Sequence, residues 1–162
     1  MKSSSRIALL ATAVVALSSL SSAAIAASIN GNASATVLTP ITVTQNTALS
    51  FGTLAANAAG SVTISTAGGR TFSGVVVTPG GFAAGAFGIT GSTGATFAIT
   101  LGTPTALASG GNSMAFTVAS SAATGTIALG VANFTVGGTL TVAAGQAAGS
   151  YVGTYPVTVE YN

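Results

Sequence analysis

Very few side chains in this 162-residue chain could do chemistry. Its charged residues are Lys2, Arg6, Arg70 and Glu160, and it contains no histidine, cysteine or aspartate. General acid–base catalysis usually needs two titratable groups with different pKa values, and a serine or threonine nucleophile needs a neighbouring base. Zinc and calcium sites gather several Cys, His or carboxylate ligands. One carboxylate meets none of these requirements, so we predict a protein that is not an enzyme and has no catalytic residue, metal site or cofactor.

The N-terminal segment has the three parts of a secretory signal peptide. A basic start, Met1–Arg6, precedes an apolar run, Ile7–Leu17, and a stretch of small residues with the cleavage sequence Ala24-Ile25-Ala26. The apolar run is shorter than the roughly 20 residues that span a bilayer. We therefore expect a signal peptide over residues 1–26, a single domain over 27–162 and no stable membrane span, with export to the periplasm, the outer cell surface or the extracellular space.

Removal of the signal peptide would leave Arg70 and Glu160 as the only charged side chains, with no net side-chain charge. A nucleic-acid-binding protein neutralises several phosphates with clustered Lys and Arg. One arginine cannot do so, which excludes nucleic acid as a partner. Since the chain has no cysteine, the exported domain must fold without disulfides.

Downstream of the signal peptide, apolar residues recur at every second position in short runs, which is the period of half-buried β-strands. Glycine and proline separate these runs, and no amphipathic helical stripe is present. The clearest runs are Val37/Ile41/Val43, Leu49/Phe51, Val62/Ile64, Phe87/Ile89, Phe97/Ile99/Leu101, Met114/Phe116/Val118, Ile127/Leu129, Phe134/Val136, Leu140/Val142 and Val157/Val159/Tyr161. The pair Gly137-Gly138 lies between two runs and predicts a hairpin turn. The pattern predicts an all-β sandwich, because a β-solenoid would need a constant repeat that the sequence lacks.

The start of the exported chain, SINGNASATV (residues 28–37), alternates strictly. One face carries Ile29, Gly31, Ala33, Ala35 and Val37, and the other carries Asn30, Asn32, Ser34 and Thr36. This alternation predicts a strand with one apolar face. The sequence leaves open whether this strand pairs within its own domain or with a neighbouring copy.

The scarcity of charge affects whether the edges of the sheets are protected against pairing with another chain. Free-standing β proteins usually protect their edges with lysine, inward-pointing charges or very short strands. A net charge near zero favours self-association. One interpretation is that another copy fills an edge by β-augmentation. The alternative is that glycine and proline shorten the edges enough to keep a monomer soluble.

Two stretches carry a family resemblance. ATVLTPITVTQNTALSFGTL (residues 35–54) resembles the first strands of spore coat protein U-like and fimbrial pilin-like domains. VGGTLTVAAGQAAGSYVGTYPVTVEYN (residues 136–162) resembles their ending. The Phe-Gly near the start and the Gly-Gly-x-Leu…Gly-x-Tyr-x-Gly-x-Tyr ending are most similar to the short secreted bacterial proteins of the domain of unknown function 4402 family.

The resemblance implies an immunoglobulin-like or pilin-like antiparallel β-sandwich at the surface of a Gram-negative cell. Pilin-like subunits are completed by the N-terminal extension of the next subunit, and residues 29–37, with Gly31, are similar to such an extension. The first hypothesis is therefore a structural surface subunit that assembles with itself or with other subunits. Its donated face would be Ile29, Gly31, Ala33, Ala35 and Val37, and one wall of its receiving groove would be Val157, Val159 and Tyr161.

The second hypothesis is a self-contained secreted binding module for a glycan or a surface protein. Its site would use loop aromatics, either Phe82 or the pair Tyr151 and Tyr155. A preformed aromatic groove would favour this hypothesis, whereas an open apolar groove flanked by the terminal strand would favour assembly.

Overall fold

The computed structural model describes residues 26–162, and the predicted signal peptide lies almost wholly outside the described residues. The chain separates into two units, residues 1–35 and residues 36–162. In the described part of the first unit, residues 26–35, every residue is exposed and none belongs to a β-strand. All strands belong to the second unit.

The second unit is built from short strands, as the alternating apolar pattern predicts. They are β1 Thr42–Thr47, β2 Ser50–Phe51, β3 Leu54–Ala55, β4 Gly60–Ile64, β5 Arg70–Ser73, β6 Val76–Val77, β7 Phe82–Ala83, β8 Gly85–Thr90, β9 Thr96–Leu101, β10 Leu107–Ser109, β11 Asn112–Met114, β12 Phe116–Ser120, β13 Thr124–Thr126, β14 Val131–Val142 and β15 Val157–Tyr161. Every pairing is antiparallel, and residues 26–162 contain no helix. The predicted all-β fold is confirmed.

The largest sheet is organised around the long strand β14, which has partners on both edges. β8 pairs with its first half and β4 with its second half, while β12 pairs with its middle. Because residues 138–140 pair with both β4 and β12, these two strands lie on opposite edges of β14. Val136 pairs with both β8 and β12, so β8 and β4 share the edge of β14 that lies opposite β12. β1 pairs with β8, and β5 pairs with β4, so the edge strands of this sheet are β1, β5 and β12.

A second sheet has the order β13-β9-β15, and its inner face packs against the large sheet. Each sheet contributes its inward-facing alternate residues to a core of two clusters. The first cluster consists of Phe51, Val62, Ile64, Val75, Met114, Phe116, Leu140 and Val142. The second consists of Phe87, Ile89, Phe97, Ile99, Ile127, Phe134 and Val136. This is a sandwich-like arrangement, consistent with the prediction.

The predicted hairpin at Gly137-Gly138 is wrong, because both residues lie inside the continuous strand β14. Both glycines are buried, and the absence of a side chain lets the backbone of neighbouring strands approach them closely. A Cβ on Gly138 would lie 2.5 Å from the Thr117 carbonyl oxygen and 3.1 Å from Leu49 Cδ2. Glycine in a strand interior often marks such an approach, and the sequence alone does not distinguish it from a turn.

Three further residues lie in an environment that their local pattern does not predict. Val43 belongs to β1 but is 40% exposed. Val37 is 93% exposed and lies before β1, which begins only at Thr42. Leu129 is 92% exposed and forms a tight turn with Gly130, both with positive φ (51° and 83°). The turn is closed by reciprocal hydrogen bonds between Ala128 and Val131. A two-residue hairpin turn of this type requires positive φ at both central residues, so the geometry of the turn and not the alternation of a strand sets the position of Leu129.

Within residues 26–162 there is no helix whose length and apolar character would let it cross a bilayer.

Candidate assembly site

The terminal strand β15 has a partner, β9, on one edge only among the described residues. The pairing extends beyond β15 in both directions. The Pro156 carbonyl accepts a hydrogen bond from the Gly102 amide (3.0 Å), and the Asn162 amide donates to the Thr96 carbonyl (3.3 Å). Bonded pairs in an antiparallel ladder recur at every second residue. The even-numbered residues of β15 therefore direct their main-chain groups toward β9.

The same alternation continues in the segment that leads into β15. Val152 exchanges two main-chain hydrogen bonds with Ala108 (2.8 and 3.1 Å), and the Thr154 carbonyl accepts from the Thr105 amide (2.8 Å). The odd-numbered residues from Tyr151 to Tyr161 consequently direct their N–H and C=O groups toward the opposite edge. We call this row of main-chain groups the free edge.

The side chains of these odd-numbered residues point into the sandwich. Val157, Val159 and Tyr161 are half-buried and pack on the second core cluster, whereas Thr158 and Glu160 are exposed. The predicted inward and outward faces of the terminal strand are therefore present in the structure. Apart from Gly153, which has no side chain, the residues whose main chain lines the free edge are the same residues whose side chains pack on the core clusters.

The gap between the free edge and strand β1 is closed at one end by Tyr161. Its hydroxyl donates a hydrogen bond to the Thr39 carbonyl (2.7 Å) and accepts one from the Ser92 amide (2.8 Å). The Thr39 amide in turn donates to Ser92 Oγ (2.7 Å), and Ile41 packs on the second cluster. These contacts tie the chain before β1 to the end of β15.

At its other end the gap widens into an open cleft of about 880 Å³, which we call the lateral cleft. One wall is residues 48–57, which follow β1, and the other is residues 146–153 with Tyr155, which lead into β15. Its floor is apolar and consists of the core side chains Met114, Phe116 and Leu140. Neither Arg70 nor Glu160 lines it, so the cleft is uncharged.

Tyr155 lies where the lateral cleft meets the core and contacts both clusters. Its ring makes edge-on contacts with Phe87 and Phe116, each with centroids 6.3 Å apart. Its hydroxyl is buried with no hydrogen-bond partner among the described residues. Burial raises the pKa of Tyr155, because the phenolate would lose its hydration. A Cβ on Gly85 would lie 2.6 Å from this hydroxyl, so glycine at that position makes room for the tyrosine.

The other cleft tyrosine, Tyr151, fixes the shape of the wall. Its hydroxyl donates to the Ala147 carbonyl (2.8 Å) and accepts from the Gln146 side-chain amide (2.8 Å). At the far end of the cleft, the Gly145 amide donates to the Ala56 carbonyl (3.1 Å) and joins the two walls. This hydrogen bond links the segments on the two sides of the cleft.

The remaining residues singled out in the sequence lie away from the lateral cleft. Arg70 stacks over the Phe82 ring (4.3 Å to its centroid) and donates to the Thr78 carbonyl (2.6 Å), so both side chains serve local packing. Glu160 is exposed on β15 opposite Ala98. No group of three or more potential metal ligands occurs in the part of the chain that the structure describes.

The predicted donated face is exposed and lies outside the strands. Ile29 is 95% exposed, and residues 26–40 form no strand, although their alternation suits one. Sequence reasoning named Val157, Val159 and Tyr161 as a groove wall and Tyr151 and Tyr155 as candidate ligand contacts. The structure places all five along one edge. It adds the wall of residues 48–57 and the apolar floor, for which the sequence carried no signal beyond core periodicity.

The fold and the cleft define a chain of sandwich-like antiparallel β architecture with an apolar-floored cleft beside the unpaired edge of β15. The family model described as Domain of unknown function (DUF4402) matches residues 41–161, and the chain belongs to this family. The match begins at the residue before β1 and ends with β15, so it includes both walls of the cleft. No curated protein and no solved structure gives a match to the chain.

Proposed function

We propose that this protein is a non-enzymatic, exported structural subunit of the cell surface that assembles by donating its N-terminal segment as a β-strand to another copy. The proposal rests on the exposure and the missing strand pairing of residues 28–37. These residues have the strict alternation of a half-buried strand, yet all are exposed and belong to no sheet. A segment with an apolar face is stabilised by a sheet that covers this face.

The distribution of charge supports the same function. Residues 28–37 carry no charge, and in the described chain the two charged side chains are Arg70 and Glu160. Lysines and inward-pointing charges are the usual protection of an edge strand against pairing. Residues 28–37 carry neither a lysine nor an inward-pointing charge, and β15 carries only the outward-facing Glu160. The composition supplies no pair of groups for acid–base catalysis.

The test compares two aspartate substitutions on adjacent residues of the exported full-length chain. Ala33→Asp places a charge on the face that would be buried in the receiving sheet, and Ser34→Asp places the same charge on the face that would remain in water. We expect the parent chain and Ser34→Asp to elute as multimers and to form filaments in electron micrographs. Ala33→Asp and a deletion of residues 28–32 should elute as monomers. A stable monomer in all four proteins would refute the proposal.

A second function, a self-contained binding module, is favoured by one specific observation. Tyr151 and Tyr155 both line the lateral cleft, and aromatic walls are common in ligand sites. A monomeric parent chain whose cleft binds a soluble oligosaccharide, with binding lost in Tyr151→Ala, would support this second function.

A further inference from the structure

We infer that the receiving site is the lateral cleft together with the free edge, and that its occupant is residues 29–37 of a second copy of this chain. This inference rests on the function proposed above and adds the place at which the donated strand is received.

The free edge supplies the main-chain partners that an added strand needs. From Val152 to Asn162, the main-chain groups of the even-numbered residues face the paired side of the segment. Outside the β15–β9 ladder, their main-chain hydrogen bonds are 2.8–3.3 Å long. The odd-numbered residues from Tyr151 to Val159 therefore present a regular row of donors and acceptors. An added strand would satisfy this row by continuing the second sheet, as in other cases of β-augmentation.

The cleft supplies an apolar floor beside the free edge. β1 ends the large sheet on one side, and all six of its residues are exposed. β5 is the edge strand beyond β4, and three of its four residues are exposed. Beside the free edge, by contrast, the core residues Met114, Phe116 and Leu140 line the bottom of the opening. The free edge therefore combines unpaired main chain with core side chains that line the adjoining opening.

The donated segment and the receiving edge agree in length and chemistry. Residues 29–37 are about 30 Å long when extended, and the free edge from Tyr151 to Tyr161 is two residues longer, with Tyr161 already bound to Thr39. Both the segment and the cleft are uncharged. The central inward-facing residues of the segment are Gly31, Ala33 and Ala35, and such small side chains fit a cleft of about 880 Å³ that Tyr151 and Tyr155 already narrow.

Disulfide cross-linking tests the inference, because the natural chain contains no cysteine and gives no background. Two full-length variants carry Asn30→Cys on the outward face of the segment, with either Val152→Cys or Thr158→Cys on the exposed face of the receiving strand. Aligned on their centres, a parallel donated strand would bring residue 30 beside residue 152, and an antiparallel one beside residue 158. Neighbouring Cα atoms in a sheet lie within the distance that a disulfide spans. The matched control pairs Asn30→Cys with Thr71→Cys on β5, and Asn30→Cys alone measures random coupling.

We expect mild oxidation to give a ladder of disulfide-linked multimers from one of the two cleft pairs, and no more than random coupling from the control. Filaments or multimers that cross-link through Thr71, or through neither cleft pair, would overturn the cleft as the receiving site while leaving assembly intact. Cross-linked monomers would show that the segment fills the cleft of its own chain, which also overturns the inference. A cysteine-free parent that remains monomeric would overturn the proposed function itself.

Discussion

The fit between Gly85 and Tyr155 gives a prediction whose sign can be worked out from the structure. In Gly85→Ala, the new methyl group would lie 2.6 Å from the Tyr155 hydroxyl oxygen, well inside van der Waals contact. Overpacking of this kind costs about 1–3 kcal/mol. Replacing a strand glycine with alanine recovers about 0.5–1 kcal/mol of backbone entropy. We therefore expect Gly85→Ala to lower the free energy of unfolding by about 1–2 kcal/mol.

The partner substitution, Tyr155→Phe, removes the group that causes the clash. The Tyr155 hydroxyl is buried without a partner among the described residues, and an unpaired buried hydroxyl costs about 1–3 kcal/mol in proteins. We expect Tyr155→Phe to be more stable than the parent by about 1 kcal/mol. In the Tyr155→Phe background, Gly85→Ala should be close to neutral, because the oxygen that the new methyl group would meet is gone.

Urea denaturation of the four proteins of this cycle, followed by circular dichroism, measures the coupling between the two positions. The expected coupling is about 1–2 kcal/mol, within the range for contacting residues, with unchanged dependence on urea. The 3.3 Å approach of the new methyl group to Phe87 is present in both backgrounds and cancels in the comparison. An equal cost of Gly85→Ala in both backgrounds would refute the steric reasoning. A large loss of stability in Tyr155→Phe would show that the hydroxyl is hydrogen-bonded.

Two further predictions concern alkaline pH and the turn at Leu129. Because burial raises the pKa of Tyr155 above its unfolded value of 10.0, the corresponding stability is fully present below pH 10 and is lost as the pH rises through the folded-state pKa. Tyr155→Phe should therefore gain on the parent by up to about 1.4 kcal/mol per pH unit above pH 10, measured by urea denaturation, and a constant difference would contradict this. Leu129→Asn should raise the free energy of unfolding by about 1 kcal/mol, because asparagine adopts positive φ more readily than leucine and Asn-Gly is preferred in this turn. Thermal denaturation checks this change, and a lower melting temperature would contradict it.

The sequence predicted the parts of the fold that depend on local alternation. The inward faces of Val62/Ile64, Phe87/Ile89 and Phe97/Ile99 are core residues in the structure. Alternation succeeds here because successive side chains of a strand point to opposite faces, which fixes burial without knowledge of the partner strand. It failed at Gly137-Gly138, because a glycine that admits neighbouring backbone has the same composition as a glycine in a turn.

The scarcity of chemically active groups was also determined by the sequence, since no fold can supply catalytic side chains that the chain does not contain. The free edge and the lateral cleft were decided by the tertiary structure alone. They arise because residues 48–57 and 146–153, about 100 positions apart, line one gap over the floor of Met114, Phe116 and Leu140. Strand order and the separation of two walls depend on long-range pairing, which the local period of a strand does not specify.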